Sequence, residues 1–192
     1  MSADSRGTHG HHKLRLAARR IREGGIVAYP TEAVYGLGCD PWNGEAVRRL
    51  IAIKQRSENK GLLLIAADFS QIEPFVESLD DARMQSIRAS WPGPVTWVLP
   101  ARDATPGWLT GCRGTLAVRV TAHRIAADLC KYAGSALVST SANISNRAPA
   151  RTSLQVRLAL DRQVDLVLVG RCGARARPSI ILDGRTGAII RA

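Results

Sequence analysis

The sequence has no apolar run approaching the roughly 20 residues that a membrane-spanning helix needs, and its amino terminus lacks an apolar signal core ahead of a small-residue cleavage site. These absences predict a soluble, cytoplasmic protein with no membrane partner. It also lacks a C-x-x-C pair. Cys39, Cys112, Cys130 and Cys172 are irregularly spaced with no histidine at ligand spacing, which argues against a zinc site or disulfide framework and for reduced structural thiols. No G-x-x-x-x-G-K-[ST] loop and no G-x-G-x-x-G turn is present, so a nucleotide bound here is held by neither a P-loop nor a Rossmann turn. Lysine is scarce: of 27 cationic residues only four are lysines, and two of these, Lys54 and Lys60, flank Arg56.

What is there fits one domain. A chain of 192 residues with 45% apolar content is long enough to close a hydrophobic core and sits within the usual size of a single unit. The net charge of +11 attracts polyanions, RNA among them. Because the cations are mostly arginines scattered along the chain, ordinary solubility explains the same number. Arg15, Arg19, Arg20 and Arg22 form one basic helix face, and Arg171, Arg175 and Arg177 form a second cluster. His9, His11 and His12 lie in a Ser/Gly/His-rich start, residues 1–12, read as a flexible tail ahead of a domain at 13–192.

Periodicity alternates between helix and strand. Leu14, Ala17, Ala18 and Ile21 share one face of a helix over Lys13–Glu23, ended by Gly24-Gly25. Ile26–Tyr29 is a short apolar strand stopped by Pro30, leading into a Thr31-Glu32 loop. Gly44–Lys54 reads as a helix that delivers Lys54 at its carboxyl end, with Arg56 in the loop beyond. A strand at Leu62–Ala66, helices at Ser70–Val76 and Asp80–Ala89, and a Trp91-Pro92-Gly93-Pro94 turn follow. Strands at Val95–Leu99 and Thr115–Val120, a helix at Ala122–Tyr132, and a strand at Ala136–Ser139 come next. The chain finishes with a helix at Leu154–Leu160 and strands at Val164–Val169, Ser179–Leu182 and Ala188–Ile190. There is no internal repeat. Interleaved helices and strands with paired strands at the end predict an α/β fold: a single domain with a twisted mixed β-sheet flanked by helices.

Three stretches carry more polar chemistry than a core requires: Tyr29–Gly38, Lys54–Lys60 and Ser139–Asn143. The cations of the second are either a solvated end opposing the helix dipole or an anion site. Ser139, Ser141 and Asn143 at a strand end either bind anions or cap a turn. Thr31 is either a turn hydroxyl or a ligand contact, and Glu32 is placed to hold Lys54 or Arg56.

The succession YPTEAVYGLGCDP, IAIKQRSENKGLLLI, WPGPVTWVLPA, GTLAVRV, ALVSTSANIS and RPSIILD resembles the YrdC/TsaC family, the threonylcarbamoyl-AMP synthases, over nearly the whole chain from about residue 13. Its K-x-R and S-x-N signatures match Lys54-Gln55-Arg56 and Ser141-Ala142-Asn143, and the length is similar to the short form without an additional carboxyl-terminal domain. The resemblance implies a YrdC-like fold, related to the RibB-like fold, and a reaction: L-threonine, bicarbonate or CO2, and ATP give threonylcarbamoyl-AMP and pyrophosphate. That product feeds N6-threonylcarbamoyladenosine formation in tRNAs reading codons that start with A, through separate tRNA-threonylcarbamoyl transfer proteins. By carry-over, Lys54, Arg56 and Lys60 hold phosphates or bicarbonate, and Lys54 and Arg56 are the catalytic pair. Ser139, Ser141, Asn143 and Thr115 lie on the nucleotide side; Thr31, Arg119 and Ser179 contact threonine, Arg119 as a bidentate partner of its carboxylate. ATP enters as substrate with Mg²⁺ carried mainly by the nucleotide, and no protein-held metal is expected.

Ser57 and Gly61 stand where the family often has prolines, Asn146 where it often has glycine, and Ile180 where threonine is common. The competing reading is an RNA-binding maturation factor of the same fold without ATP turnover, which has no use for the Thr31, Arg119 and Ser179 set. A phosphosugar synthase of related fold wants an acidic metal site, and the acidic residues here are not clustered that way.

Overall fold

The computed structural model describes residues 5–160, 162–174 and 179–191. In chain order the elements are helix α1 (Ser5–Arg22), strands β1 (Val27–Pro30) and β2 (Tyr35–Cys39), α2 (Gly44–Lys54), β3 (Leu63–Ala66), α3 (Asp81–Ala89), β4 (Val95–Pro100) and a short α4 (Gly107–Thr110). Then come β5 (Thr115–Val120), α5 (Arg124–Ala133), β6 (Leu137–Ser141), α6 (Ser153–Leu160), β7 (Leu166–Val167), β8 (Ile180–Asp183) and β9 (Ile189–Arg191). The strands form one mixed sheet in the order β7-β1-β2-β6-β3-β5-β4-β8-β9. β1 with β7, β3 with β5 and β4 with β8 run parallel, and the other neighbours antiparallel.

The sheet is covered on both faces. On one, Leu14, Ala17 and Ile21 of α1 and Ala126, Leu129 and Cys130 of α5 pack with Val27, Tyr29, Ile65 and Leu137. On the other, Val47, Leu50 and Ile51 of α2 and Met84 and Ile87 of α3 meet Ala28, Leu37, Leu64, Val118 and Val138. Each fully buried Leu or Ile of this kind contributes about 1.5–3 kcal/mol. Side chains alternate between faces along a strand, so Leu116, Val118 and Val120 of β5 join the α2 face and Thr115, Ala117 and Arg119 turn to the other. The register Ser139↔Leu63↔Ala117↔Val98↔Asp183 therefore lays a row of residues across the face that α1 and α5 only partly cover.

Several expectations differ from what is observed. The YGLGC segment, given no element from its sequence pattern, is β2, paired to both β1 and β6. Glycine at alternate positions weakens a strand pattern, yet these glycines are required: a Cβ on Gly38 would lie 2.8 Å from both Tyr29 Cε1 and the Val138 carbonyl oxygen. Ser70–Val76, read as a helix, holds only a single 3₁₀ turn, Phe69–Gln71, capped by Asp68. α1 begins at Ser5, so residues 5–12, assigned to a tail, continue the helix; His11 Nδ1 lies 2.6 Å from Tyr132 Oη on α5. Asn146 has φ 65°, the left-handed angle that asparagine tolerates in place of glycine. Arg175 and Arg177 lie outside the described residues, as does His9's side chain. No helix among the described residues is long and apolar enough to cross a membrane.

Candidate functional site

α2 starts on an Asn43 cap, whose side chain accepts from Ala46 N, and stops at Gln55, held at φ 47°. That stop sends Lys54 and Arg56 in different directions. Lys54 is 4% exposed. Its Nζ donates to Ser141 O at 2.5 Å, Asn143 O at 2.6 Å and Asn143 Oδ1 at 2.7 Å, with Ser141 Oγ at 3.3 Å. Ser145 replies by donating its N and Oγ to the Lys54 carbonyl, at 3.0 and 2.6 Å. Burial, and then the charge of Arg56, push the Lys54 ammonium down to about 8. An ammonium has three hydrogens for these oxygens and a neutral amine only two, so the loop holds the charged form at neutral pH. Arg56 instead donates to Gly61 O at 2.8 Å and Lys60 O at 3.3 Å, closing the 56–61 loop.

A cavity of about 600 Å³ opens over the bare part of the sheet. Arg56, Lys60, Thr115, Ser139 and Ser141 stand on its wall, as do Thr31, Arg119 and Ser179. Of the ten residues singled out from sequence, Lys54 and Asn143 are not on that wall; they sit behind Ser141 and fix it. Ser139 Oγ accepts from the fully buried Tyr29 hydroxyl at 2.9 Å, and Ser179 Oγ lies 3.0 Å from Thr96 Oγ1. Thr31 Oγ1 donates to Val34 O at 2.7 Å, a turn contact made by a residue that also faces the cavity.

Glu32 pairs neither with Lys54 nor with Arg56: in the turn between β1 and β2, its Oε2 lies 3.4 Å from Arg119 Nη2. Arg119 is not a surface arginine either, with a side chain only 8% exposed. Burial raises the Glu32 carboxyl, but the Arg119 charge and a hydrogen bond from Thr121 outweigh it and hold the group below the usual carboxylate range. Arg113 and Arg191 also line the cavity and were missed. Arg113 acts on Arg56, whose guanidinium is lowered first by burial and next by this neighbouring charge. Its signal was present in the sequence, as the last cation before the Gly114-Thr115 strand start.

Chemically, the wall offers cations and hydroxyls toward one end and a buried arginine toward the other. Among the described residues no group of three or more His, Cys, Asp or Glu can hold a metal ion. Of the acids on the wall, Glu32 is engaged as above, and Asp183 accepts from the Arg185 and Thr186 amides. The cysteines are free, and burial pushes the Cys39 thiol up to about 12. A smaller cavity of about 460 Å³, beside Ala33, Arg151, Arg171 and Cys172, holds none of those ten site residues.

Comparison with known proteins places this geometry. The chain is 54% identical over 179 residues to the threonylcarbamoyl-AMP synthase of Halorhodospira halophila, covering 93% of this chain and 94% of that one. It is also 54% identical over 179 residues to the threonylcarbamoyl-AMP synthase of Nitrosococcus oceani, covering 93% and 97%. Among solved structures, P. abyssi Sua5 complexed with L-threonine superposes with a TM-score of 0.83 at 33% identity; the match covers 88% of this chain and spans 50% of that one. The Sua5/YciO/YrdC family model, described as telomere recombination, matches residues 19–192. The chain belongs to the Sua5/YciO/YrdC family.

Proposed function

We propose that this protein is a threonylcarbamoyl-AMP synthase, which condenses L-threonine, bicarbonate or CO2, and ATP into threonylcarbamoyl-AMP and pyrophosphate. The observation that carries this reading is the single cavity in which Arg56 and Lys60 share walls with Arg119, Thr31 and Ser179. It has room for a triphosphate beside a small amino acid. The threonine nitrogen forms a C–N bond to the carbon of CO2 as one C=O π bond opens and the nitrogen gives up a proton, producing a carbamate; starting from bicarbonate, a C–O bond breaks instead and that oxygen leaves with the amine proton as water. A carbamate oxygen then bonds to the α-phosphorus while the bond from that phosphorus to the bridging oxygen breaks, and pyrophosphate departs. Nothing in the sequence of bonds calls for a protein nucleophile.

The residues then supply position and charge. Arg56, Lys60 and Arg113 receive the phosphates, Ser139 and Thr115 donate hydrogen bonds on the nucleotide side, and Ser141, whose hydroxyl proton goes to Asn143 Oδ1, lines the wall beside them. Arg119 faces the threonine carboxylate, with Thr31 and Ser179 completing that end. Lys54 and Asn143 act one layer back by fixing Ser141. The engaged acids on the wall fit a Mg²⁺ that arrives on the nucleotide, where it would offset charge on the departing phosphates. A cytoplasmic setting, contact of the basic surface with RNA, and hand-over of the product to tRNA-threonylcarbamoyl transfer proteins complete the proposal.

Pyrophosphate release from ATP tests it. Release that requires both threonine and bicarbonate, with serine a poorer substrate, supports it. Turnover indifferent to threonine overturns the substrate, and salt-sensitive RNA binding with no turnover at all favours the RNA-binding factor instead.

A further inference from the structure

We infer that Glu32 is the positioning residue for Arg119, holding its guanidinium in the orientation that receives the amino-acid carboxylate. The inference rests on the proposed role of Arg119 as the threonine carboxylate partner and goes beyond it by naming what sets that side chain in place.

Glu32 is itself fixed from two sides. Its Oε1 accepts from Thr121 Oγ1 at 2.6 Å and from the Ala122 amide at 3.2 Å, at the end of β5 where Arg119 sits two residues earlier. Its backbone is pinned by the Thr31–Val34 turn and by Gly173, where a Cβ would lie 2.6 Å from the Glu32 carbonyl oxygen. Oε1 therefore has its lone pairs taken, and Oε2 is left for Arg119.

The pairing is incomplete in a specific way. The Oε2 to Nη2 separation of 3.4 Å is longer than the about 2.7–2.9 Å of a full charge-assisted hydrogen bond. Both Glu32 Oε2 and Arg119 Nε are buried without any hydrogen-bond partner. Such a carboxylate compensates the charge of a buried guanidinium, which alone would be costly, yet does not saturate its donors. Arg119 is thus held in place and still able to engage a second carboxylate. Because the Glu32–Arg119 pair is neutral as a whole, this end of the cavity suits a zwitterionic amino acid over one with an acidic side chain.

Glu32→Gln tests this. If Oε1 keeps its contacts with Thr121 and Ala122, the new amide nitrogen faces Arg119 as donor against donor. The expected result is a rise of about tenfold in KM for threonine, the scale of one charge-assisted contact, with KM for ATP within about twofold. In a cycle with Arg119→Lys, the double variant should be no worse than Arg119→Lys alone, since both remove one interaction. An unchanged KM for threonine, equal effects on threonine and ATP, or full additivity overturns the inference. Should Glu32→Gln lose its cooperative melt, Thr121→Val, which frees one anchor of the carboxylate, is expected to raise KM for threonine in the same direction; no change there overturns it too. Threonine-independent turnover by the unaltered protein would instead defeat the proposed function itself, a separate outcome.

Discussion

Lys54 Nζ and Asn143 Oδ1 lie 2.7 Å apart although 89 residues separate them in sequence. The contact ties the carboxyl end of α2 to the loop after β6, and with it the K-x-R stretch to the S-x-N stretch. An expected phosphate ligand is thereby occupied by four protein oxygens, while Arg56, two residues on, faces the cavity.

Lys54→Met should keep the fold, leave the Ser141 and Asn143 carbonyls without their shared donor, and cost about 1–3 kcal/mol. Hydrogen exchange at the Ser145 amide, which donates to the Lys54 carbonyl, should speed up, and pyrophosphate release should fall at least tenfold. Unchanged exchange with unchanged activity would contradict the role given to this lysine.

The Lys54 ammonium should titrate far below the ordinary lysine value of 10.5, near 8. The protonated form, present below that pH, is the one that holds the loop, so loop order declines as pH rises through it. Only four lysines are present, so selective lysine labelling gives a readable NMR titration, with Lys54→Met assigning the signal. A midpoint above 10 would be the contrary result.

Arg56→Ala and Arg113→Ala should each reduce kcat/KM for ATP by about tenfold to a hundredfold, the range of a charge-assisted hydrogen bond worth about 1.5–3 kcal/mol. KM for threonine should move much less in both. Steady-state kinetics with each substrate varied in turn separates the two effects.

Gly38→Ala should destabilise the protein by about 1–3 kcal/mol through overpacking, since the new methyl meets the Tyr29 ring and the Val138 carbonyl. Denaturant unfolding measures it. Trimming the ring with Tyr29→Leu in the same chain should recover part of the loss.

The strands and helices with clean periodicity were legible in sequence: β5 runs from Thr115 to Val120 as its alternation indicates, and α2 ends at Lys54 as its apolar spacing indicates. β2 was hidden because Gly36 and Gly38 serve the packing of Tyr29, a tertiary demand that no local pattern displays. The Ser70–Val76 segment has helical spacing but ends in turns, with Ile72, Phe75 and Val76 buried in the core, so tertiary packing overrode the pattern. At the candidate site, residue types pointed to the cations and hydroxyls that line the cavity, whereas the partner of Glu32 and the layering of Lys54 behind Ser141 depend on distances between remote strands.

β5 also serves as a gauge. With about 3.3 Å per residue, Thr115 and Arg119 on its cavity side are set about 13 Å apart along a rigid inner strand, hydrogen-bonded to β3 and β4. The spacing between the proposed nucleotide and threonine ends of the cavity is thus a fixed length of extended backbone that no loop movement can alter. Inserting one residue between them would turn Arg119 into the apolar layer beneath, so this strand should tolerate exchange of side chains far better than any change in their number.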